Sequence, residues 1–254
     1  MKLATLKRTL HALIQYRHEY PLGKDLEGKV ILITGASRGI GFDIAQLLYT
    51  RGASLICVGK SEENLRQAFR AFDQARVLCV AGDVANEQDV QRIVKKATER
   101  FGRLDVLINN AGIFRGGLLE KISLKDFSES IETNLRGLFL MTRAVLPQMK
   151  AARTGAIITI GSKISRNSRP EPGRVIYAAT KYAVEGFTKA LSEEVKGDGI
   201  RVMCLMPATV NTYLSPEAVD YLSPQKIAEI IYMTLLFEDV NFESLVVKSI
   251  HQDI

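Results

Sequence analysis

The chain has 254 residues, of which 46% are hydrophobic, and this length suits one large α/β domain better than two small ones. The net charge is +6, but basic residues are interspersed with acidic ones, which argues against nucleic-acid binding as a main function. The three cysteines lie singly in apolar runs with no histidine cluster nearby, so we predict reduced core thiols and expect no metal site.

Residues 1–27 are predicted to form a basic amphipathic extension in front of a single domain that spans residues 28–254. Apolar residues recur in this extension at helical spacing, at Leu3, Leu6, Leu10 and Leu13. We expect the helix to pack on its own domain or on a neighbouring subunit, with attachment to a membrane surface as the alternative. The sequence has no apolar run of about 18 residues and no signal-peptide pattern, which favours a cytoplasmic protein without a transmembrane segment.

From Lys29 onward, short β-rich runs alternate with longer helical patterns, which is typical of repeated βαβ units. The predicted strands are Val30–Thr34, Ser54–Gly59, Arg76–Ala81, Leu104–Asn109, Ala156–Gly161, Arg201–Met206 and Ser244–Lys248. The predicted helices are Gly39–Arg51, Glu62–Phe72, Glu87–Phe101, Leu124–Met149, Val175–Lys196 and Pro224–Phe237. The pattern predicts an α/β fold: a single doubly wound domain of the Rossmann type, with a mostly parallel seven-stranded sheet and helices on both faces.

A glycine-rich turn joins the first predicted strand to the first predicted helix. Glycine lets the backbone turn tightly and approach a pyrophosphate, and the helix that follows offers free N–H groups and a positive dipole end. At the first βα unit of an α/β series, such a turn predicts a dinucleotide site, and the alternative is a turn that merely needs glycine. The residues expected at the cofactor here are Gly35, Ser37, Arg38, Gly39, Ile40 and Gly41.

The TGxxxGxG spacing of this turn resembles the short-chain dehydrogenase/reductase family, and the resemblance continues in family order along residues 28–248. The further matching residues are Asp83, Asn109-Asn-Ala-Gly112, Asn134, Ser162 and Tyr177-Ala-Ala-Thr-Lys181. The resemblance, to NADP(H)-dependent ketoacyl or carbonyl reductase-like members, implies a homodimer or homotetramer. It also implies cofactor contacts from Asp83, Val84, Asn110, Ala111, Gly112, Pro207, Val210 and Thr212.

Three positions in or near these motifs carry additional expectations. Asn109 is expected to brace the central strands, and Asp83, apart from the resemblance, is predicted to be the N-cap of the helix that follows it. Ala208 stands where the family usually has glycine, so its backbone is less free to adopt a positive φ.

The end of the second predicted strand indicates which nicotinamide cofactor is preferred. An acidic residue there would bind a free ribose 2′-hydroxyl and repel a 2′-phosphate, but the strand ends with Gly59, Lys60 and Ser61. Lys60 supplies a cation, Ser61 a donor, and Arg38 in the glycine turn can reach the same phosphate. This pattern predicts NADP(H), although Lys60 also fits an ordinary solvated lysine.

Tyr177 and Lys181 are four residues apart on a predicted helix, so both side chains can reach one ligand. A nearby ammonium favours the phenolate form of a tyrosine, which predicts that Lys181 assists Tyr177 as the general acid and base. Ser162 follows a strand at the carboxyl edge of the sheet and is predicted to bind the substrate oxygen. The resemblance assigns Asn134 to a water relay from Lys181. Tyr177 and Lys181 are also expected at the cofactor.

The sequence therefore predicts hydride transfer between NADP(H) and a small-molecule carbonyl or alcohol, and the alternative is a catalytically weak NADP(H)-binding regulatory or scaffold protein. Candidate substrates are a ketoacyl group on a carrier, a hydrophobic ketone such as a steroid, and a sugar or polyol. The loop before Tyr177 contains Arg166, Arg169 and Arg174, which are predicted either to attract an anionic substrate group or to be solvated loop charges.

Overall fold

A computed structural model of the protein describes residues 25–166, 170–211 and 222–249. The predictions made for residues 1–24, for Arg169 and for Thr212 lie outside these described residues. Seven strands form one sheet in the order β3-β2-β1-β4-β5-β6-β7, and each neighbouring pair is parallel. This topology confirms the predicted doubly wound α/β fold.

The strands are β1 (Val30–Thr34), β2 (Ser54–Gly59), β3 (Val77–Ala81), β4 (Val106–Asn109), β5 (Gly155–Ile160), β6 (Ile200–Pro207) and β7 (Ser244–Val247). The longer helices of the described ranges are α1 (Gly39–Thr50), α2 (Glu62–Phe69), α3 (Glu87–Phe101), α4 (Leu124–Ile131), α5 (Gly137–Ala152), α6 (Val175–Glu194) and α7 (Pro224–Leu236). Every predicted strand is present, with ends shifted by no more than two residues.

The sheet is buried on both faces, which explains why its strands are almost continuously apolar. In β1, Ile31 and Ile33 point into a core shared with α1, α2 and α7, whereas Val30 and Leu32 point into a core shared with α3, α5 and α6. The described cysteines are free thiols, and Cys57 and Cys204 are buried in these cores. None of the helices in the described ranges is long and apolar enough to span a bilayer.

The chain reverses its winding direction between β1 and β4. After β1 it builds β2 and β3 outward on one side, and β4 then returns to pair with the other side of β1. Ligands of open α/β sheets bind in the crevice that such a reversal leaves at the carboxyl ends of the strands. The ends of β1 and β4 therefore mark the candidate site.

The predicted single helix Leu124–Met149 is wrong, because the segment consists of α4 and α5 joined by a wide π-helical turn over Glu132–Arg136. This turn inserts an extra residue into the helical repeat, which changes the side chains that face inward. Thr133 and Asn134 are buried there. The π turn thus brings Asn134 into the interior beside α6.

The predicted N-cap at Asp83 is also wrong. Helix α3 begins at Glu87, and its N-cap is Asn86, whose side chain accepts a hydrogen bond from the Asp89 N–H. Asp83 instead accepts from the N–H of Ala85 at 3.0 Å, which forms a local turn before the helix.

The glycine turn between β1 and α1 depends on close backbone approach. Gly35 and Gly39 have φ of +66° and +59°, in the left-handed region that favours glycine. A Cβ on Gly41 would lie 2.3 Å from the carbonyl oxygen of Gly35 and 2.5 Å from Nδ2 of Asn110. The turn can therefore close against β4 only while position 41 has no side chain.

We expect Gly41→Ala to lower the melting temperature by several degrees, because relieving this overlap requires a backbone shift that costs roughly 1–3 kcal/mol. Differential scanning calorimetry measures the change. The matched control is Gly186→Ala on α6, where an added Cβ meets no atom within 4 Å and no decrease is expected. Equal melting temperatures for wild type and Gly41→Ala would contradict the close-approach interpretation.

Candidate functional site

The glycine turn is tied to the end of β4 by Asn110. The Asn110 side chain donates to the carbonyl oxygens of Thr34 at 2.9 Å and Gly35 at 3.1 Å. The Thr34 hydroxyl in turn accepts from the backbone N–H groups of Asn110 and Ala111, each at 3.0 Å. Because these bonds cross between β1 and β4, they hold the floor of the crevice in one geometry.

Bracing of the strand ends was expected from Asn109, but Asn110 performs it. Asn109 is buried, and its side chain donates to the Thr142 hydroxyl on α5 at 3.1 Å. Successive side chains of a strand point to opposite faces of the sheet, which explains this division. Asn109 fastens the helix layer, whereas Asn110 fastens the glycine turn.

Lys60 and Asp83, which follow β2 and β3, form an ion pair. Lys60 Nζ lies 2.8 Å from Asp83 Oδ2, and both side chains are partly exposed, at 64% and 37%. Ser61 is the N-cap of α2 and accepts from the Asn64 N–H at 3.2 Å. Arg38 is exposed at the N-cap position of α1. The predicted cofactor residues on this side therefore also contact each other or cap helices.

Lys181 lies almost buried below the carboxyl end of β5. Its side chain donates from Nζ to the carbonyl oxygen of Ile160, the last residue of β5, at 2.9 Å. Nζ is 5.8 Å from the ring centroid of Tyr177, one turn earlier on α6. Ser162 follows Ile160 by two residues, and its hydroxyl accepts from the Ile164 N–H at 3.3 Å. Lys181, Tyr177 and the strand end that carries Ser162 thus meet at one place.

The ring of Tyr177 is half-buried and packs edge-on against Phe114, with the centroids 5.2 Å apart. The guanidinium of Arg174 also lies over the ring of Phe114, with its central carbon 5.3 Å from the ring centroid. Arg174 also pairs with Glu171 at 2.6 Å. This packing fixes the plane of the tyrosine ring while leaving part of it accessible.

Asn134 joins the π turn to the backbone that follows β4. Its Oδ1 accepts from the Ile113 N–H at 2.8 Å, and its Nδ2 donates to the Ile113 carbonyl at 2.9 Å and to the Thr180 hydroxyl at 3.1 Å. A cavity of about 10 Å³ lies between Asn134, Ile160 and Lys181, which is room for about one water molecule. Both amide hydrogens of Asn134 are therefore used within the protein.

Two arginines of the loop before Tyr177 have carboxylate partners. Arg166 pairs with the buried Glu185 at 2.6 Å, and Arg174 pairs with Glu171. Each charge is partly neutralised before any substrate arrives, which weakens the predicted attraction of an anionic group. Arg169 is outside the described residues.

The segment after β6 needs no glycine at position 208. Among the described residues other than glycine, a positive φ occurs only at Arg153, so Ala208 has an ordinary backbone conformation. The Ala208 N–H donates to the carbonyl of Val247 at 2.7 Å, and Val210 forms a parallel bridge with Leu222. Pro207 therefore lies at the carboxyl end of β6 and Val210 follows it closely, and the cofactor contacts expected from both residues stay predictions.

The chain matches the family of short chain dehydrogenases over residues 29–221, which is more than half of its length. It belongs to the short-chain dehydrogenase family. The predicted family and oxidoreductase class are thereby confirmed.

Individual relatives support the same assignment. The chain is 39% identical over 189 residues to the 3-oxoacyl-(acyl-carrier-protein) reductase FabG of Vibrio cholerae, covering 74% of this chain and 76% of that protein. A 3-ketoacyl-(acyl-carrier-protein) reductase from Brucella melitensis complexed with NADH has a TM-score of 0.81 and 29% identity, covering 87% of this chain and 97% of that one. A serine dehydrogenase complexed with NADP+ has a TM-score of 0.84 and 28% identity, covering 89% and 96%.

Sequence reasoning missed Glu185, which lies one turn after Lys181 on the buried side of α6 in this short-chain dehydrogenase. Its carboxylate pairs with Arg166 at 2.6 Å and with Lys189 at 2.8 Å. Ser165, in the same helical turn as Arg166, donates to the carbonyl of Ser162 at 3.0 Å. Glu185 thus fastens the turn after Ser162 to α6. The spacing of four residues from Lys181 was the available signal, because it places Glu185 on the same helix face.

Burial raises the pKa of Glu185, but hydrogen bonds from Lys189 and Ser165 and the charges of Arg166 and Lys189 outweigh it, so the pKa lies below its ordinary value of 4.5. A carboxyl whose pKa is lowered by folding stabilises the protein above its ordinary pKa. That contribution is lost as the pH falls through the lower, folded-state value.

We expect Glu185→Gln to lower the free energy of unfolding by about 1–2 kcal/mol near neutral pH, a modest value because both cations are half exposed. The difference from wild type should shrink below about pH 4.5, and urea denaturation at several pH values measures it. The control is Glu194→Gln, an exposed residue of the same helix that lies 3.9 Å from Lys150. A pH-independent difference would rule out the charged form as the source of stability.

Proposed function

We propose that the protein is an NADP(H)-dependent oxidoreductase that moves a hydride between the nicotinamide and a carbonyl or alcohol carbon, with Tyr177, Lys181, Ser162 and Asn134 at the reacting centre. The observation that carries the proposal is the buried ammonium of Lys181 at the end of β5, beside Tyr177 and two residues from Ser162. Burying a cation costs free energy unless other groups pair with it, so a buried cation often marks a functional site.

The residues on the cofactor side fit a dinucleotide. The left-handed glycines of the turn expose backbone N–H groups, and the first turn of α1 adds unpaired N–H groups and the positive end of its dipole. When bound, the cofactor supplies or accepts the hydride. Asn110 keeps the turn closed against β4, so the phosphate-binding surface is formed before binding.

The protein groups manage the proton and the substrate oxygen. Tyr177 donates its hydroxyl proton to the oxygen of a carbonyl that is being reduced, and it takes the proton back during alcohol oxidation. The positive charge of Lys181 attracts the negative charge that develops on the Tyr177 oxygen as the proton leaves. The hydroxyl of Ser162 binds the same substrate oxygen and orients the carbonyl toward the cofactor.

Cofactor choice follows from charge. The end of β2 has no carboxylate that would repel a 2′-phosphate, and Lys60 and Arg38 lie on this side of the crevice. Asp83 competes with the phosphate for Lys60, so binding a 2′-phosphate exchanges one anionic partner for another. The NADP+ complex of the serine dehydrogenase neighbour supports NADP(H), while the Brucella reductase was complexed with NADH.

The first substrate class to test is a 3-ketoacyl group on a carrier, because the Vibrio and Brucella relatives are named as reductases of such groups.

We also expect a homodimer or homotetramer. Large apolar side chains are exposed on α4, α5 and α6, at Leu124, Phe127, Phe139 and Tyr182. Isolated apolar residues on a surface are ordinary, but a group on adjacent helices is typical of an interface.

NADPH oxidation, followed by absorbance against a panel of ketones and 3-ketoacyl thioesters, tests the activity. We expect Tyr177→Phe to bind NADPH within about threefold of wild type and to lose at least two orders of magnitude in kcat, since the ring still packs on Phe114 but no proton donor remains. Near-normal kcat would remove Tyr177 from the mechanism. Binding of NADPH by wild type without turnover on the whole panel would favour the scaffold alternative.

For cofactor choice, we expect Arg38→Ala with Lys60→Ala to weaken NADPH binding by one to two orders of magnitude and to leave NADH binding nearly unchanged. The estimate is modest because Lys60 is mostly exposed. Titration of cofactor fluorescence measures both affinities, and Lys95→Ala, an exposed lysine on α3, is the control. If wild type binds NADH as tightly as NADPH, the assignment of a 2′-phosphate site is wrong.

A further inference from the structure

We infer that Thr180 is a positioning residue that orients the amide of Asn134 and, through it, the backbone at Ile113; the catalytic part of this inference rests on the proposed function. Thr180 lies between Tyr177 and Lys181 on α6 and is completely buried. Its side chain contacts the π turn.

The hydrogen bonds of Thr180 are compatible with only one orientation of the Asn134 side-chain amide. The Thr180 hydroxyl donates its single hydrogen to the carbonyl of Tyr177 at 2.8 Å. It can therefore only accept from Asn134, whose Nδ2 lies 3.1 Å away. That acceptor requires the amino end of the Asn134 amide to point toward α6 and fixes the amide against a half-turn flip.

The orientation decides what Asn134 offers to the backbone after β4. With Nδ2 toward Thr180, Oδ1 is free to accept from the Ile113 N–H at 2.8 Å, while the second amide hydrogen reaches the Ile113 carbonyl at 2.9 Å. A flipped amide would place donor against donor at the Ile113 N–H. Thr180 thus stabilises the same orientation of the amide that the two backbone groups of Ile113 require.

The positioned backbone borders Lys181. A Cβ built on Gly112 would lie 3.3 Å from Oδ1 of Asn134 and 3.8 Å from Nζ of Lys181. The backbone after β4 at Gly112 and Ile113, the amide oxygen of Asn134 and the ammonium of Lys181 therefore share one small space. Movement of the Asn134 amide would change the surroundings of the ammonium that assists Tyr177.

The experiment compares Thr180→Val, which keeps the shape but has no hydroxyl, with Thr180→Ser, which keeps the hydroxyl. The control is Thr188→Val, because Thr188 is a buried threonine of the same helix whose hydroxyl donates to the Val184 carbonyl at 2.7 Å, two turns beyond the site. The readouts are kcat, KM and NADPH affinity, together with hydrogen exchange of the Ile113 amide by NMR.

We expect Thr180→Val to lower kcat at least tenfold, to leave NADPH affinity within threefold, and to speed exchange of the Ile113 amide at least tenfold. The Asn110 and Ala111 amides, which are bonded to Thr34, should keep their exchange rates. Thr180→Ser should stay within threefold of wild type in every readout, and Thr188→Val should leave kcat and Ile113 exchange unchanged.

Unchanged Ile113 exchange in Thr180→Val would overturn the orienting role. An equal loss of kcat in Thr180→Val and Thr188→Val would reduce Thr180 to a structural residue. If wild type turns over no carbonyl substrate, the proposed function and the catalytic part of this inference fail together, and the exchange of Ile113 still decides whether Thr180 orients Asn134.

Discussion

The site depends on one interaction, the hydrogen bond from the buried ammonium of Lys181 to the carbonyl oxygen of Ile160. The carbonyl dipole holds the ammonium in place and leaves its charge intact. A carboxylate in the same position would neutralise that charge. The nearest buried carboxylate on the same helix face, Glu185, is occupied by Arg166 and Lys189. The positive charge of Lys181 therefore remains available to Tyr177, and burial strengthens its effect because the local dielectric constant is low.

The cofactor side is organised differently, because its charged side chains are partly exposed and Lys60 already pairs with Asp83. The Lys60–Asp83 pair is worth little in water, so a doubly charged phosphate can displace Asp83 at small cost. Under the proposed function, specificity for a 2′-phosphate on this surface rests on the absence of a carboxylate after β2 as much as on the cations. Salt should weaken such exposed contacts more than it affects the buried reacting centre.

Sequence patterns predicted the strands to within two residues because a buried parallel strand is a short apolar run bounded by turn residues, and the glycine turn because its spacing is strict. The π turn around Asn134 could not be predicted, since one extra residue in a helix leaves no trace in composition or in the apolar pattern. Asn109 was expected to brace the central strands, but it fastens α5 while Asn110 fastens the glycine turn, because adjacent residues at a strand end face opposite sides and the sequence does not show which side holds the turn. For the arginines of the loop before Tyr177, the sequence left attraction of a substrate and solvation both open, because Glu185, the buried carboxylate that pairs with Arg166, becomes visible only when α6 is packed on that loop.

Helix α6 connects all four residues of the proposed reacting centre. Tyr177 and Lys181 belong to it, Asn134 is bonded to it through Thr180, and the turn after Ser162 is fastened to it through Glu185. The two attachments from outside the helix are polar contacts to the buried side chains of Thr180 and Glu185, which keep their geometry only while every donor and acceptor has its partner. A displacement of α6 therefore moves Tyr177, Lys181 and the turn that carries Ser162 together. Helices α1 and α2 pack on one face of the sheet and α6 packs on the other, so the residues proposed to contact a 2′-phosphate and those of the proposed reacting centre are supported by different helices, although both groups border the same crevice.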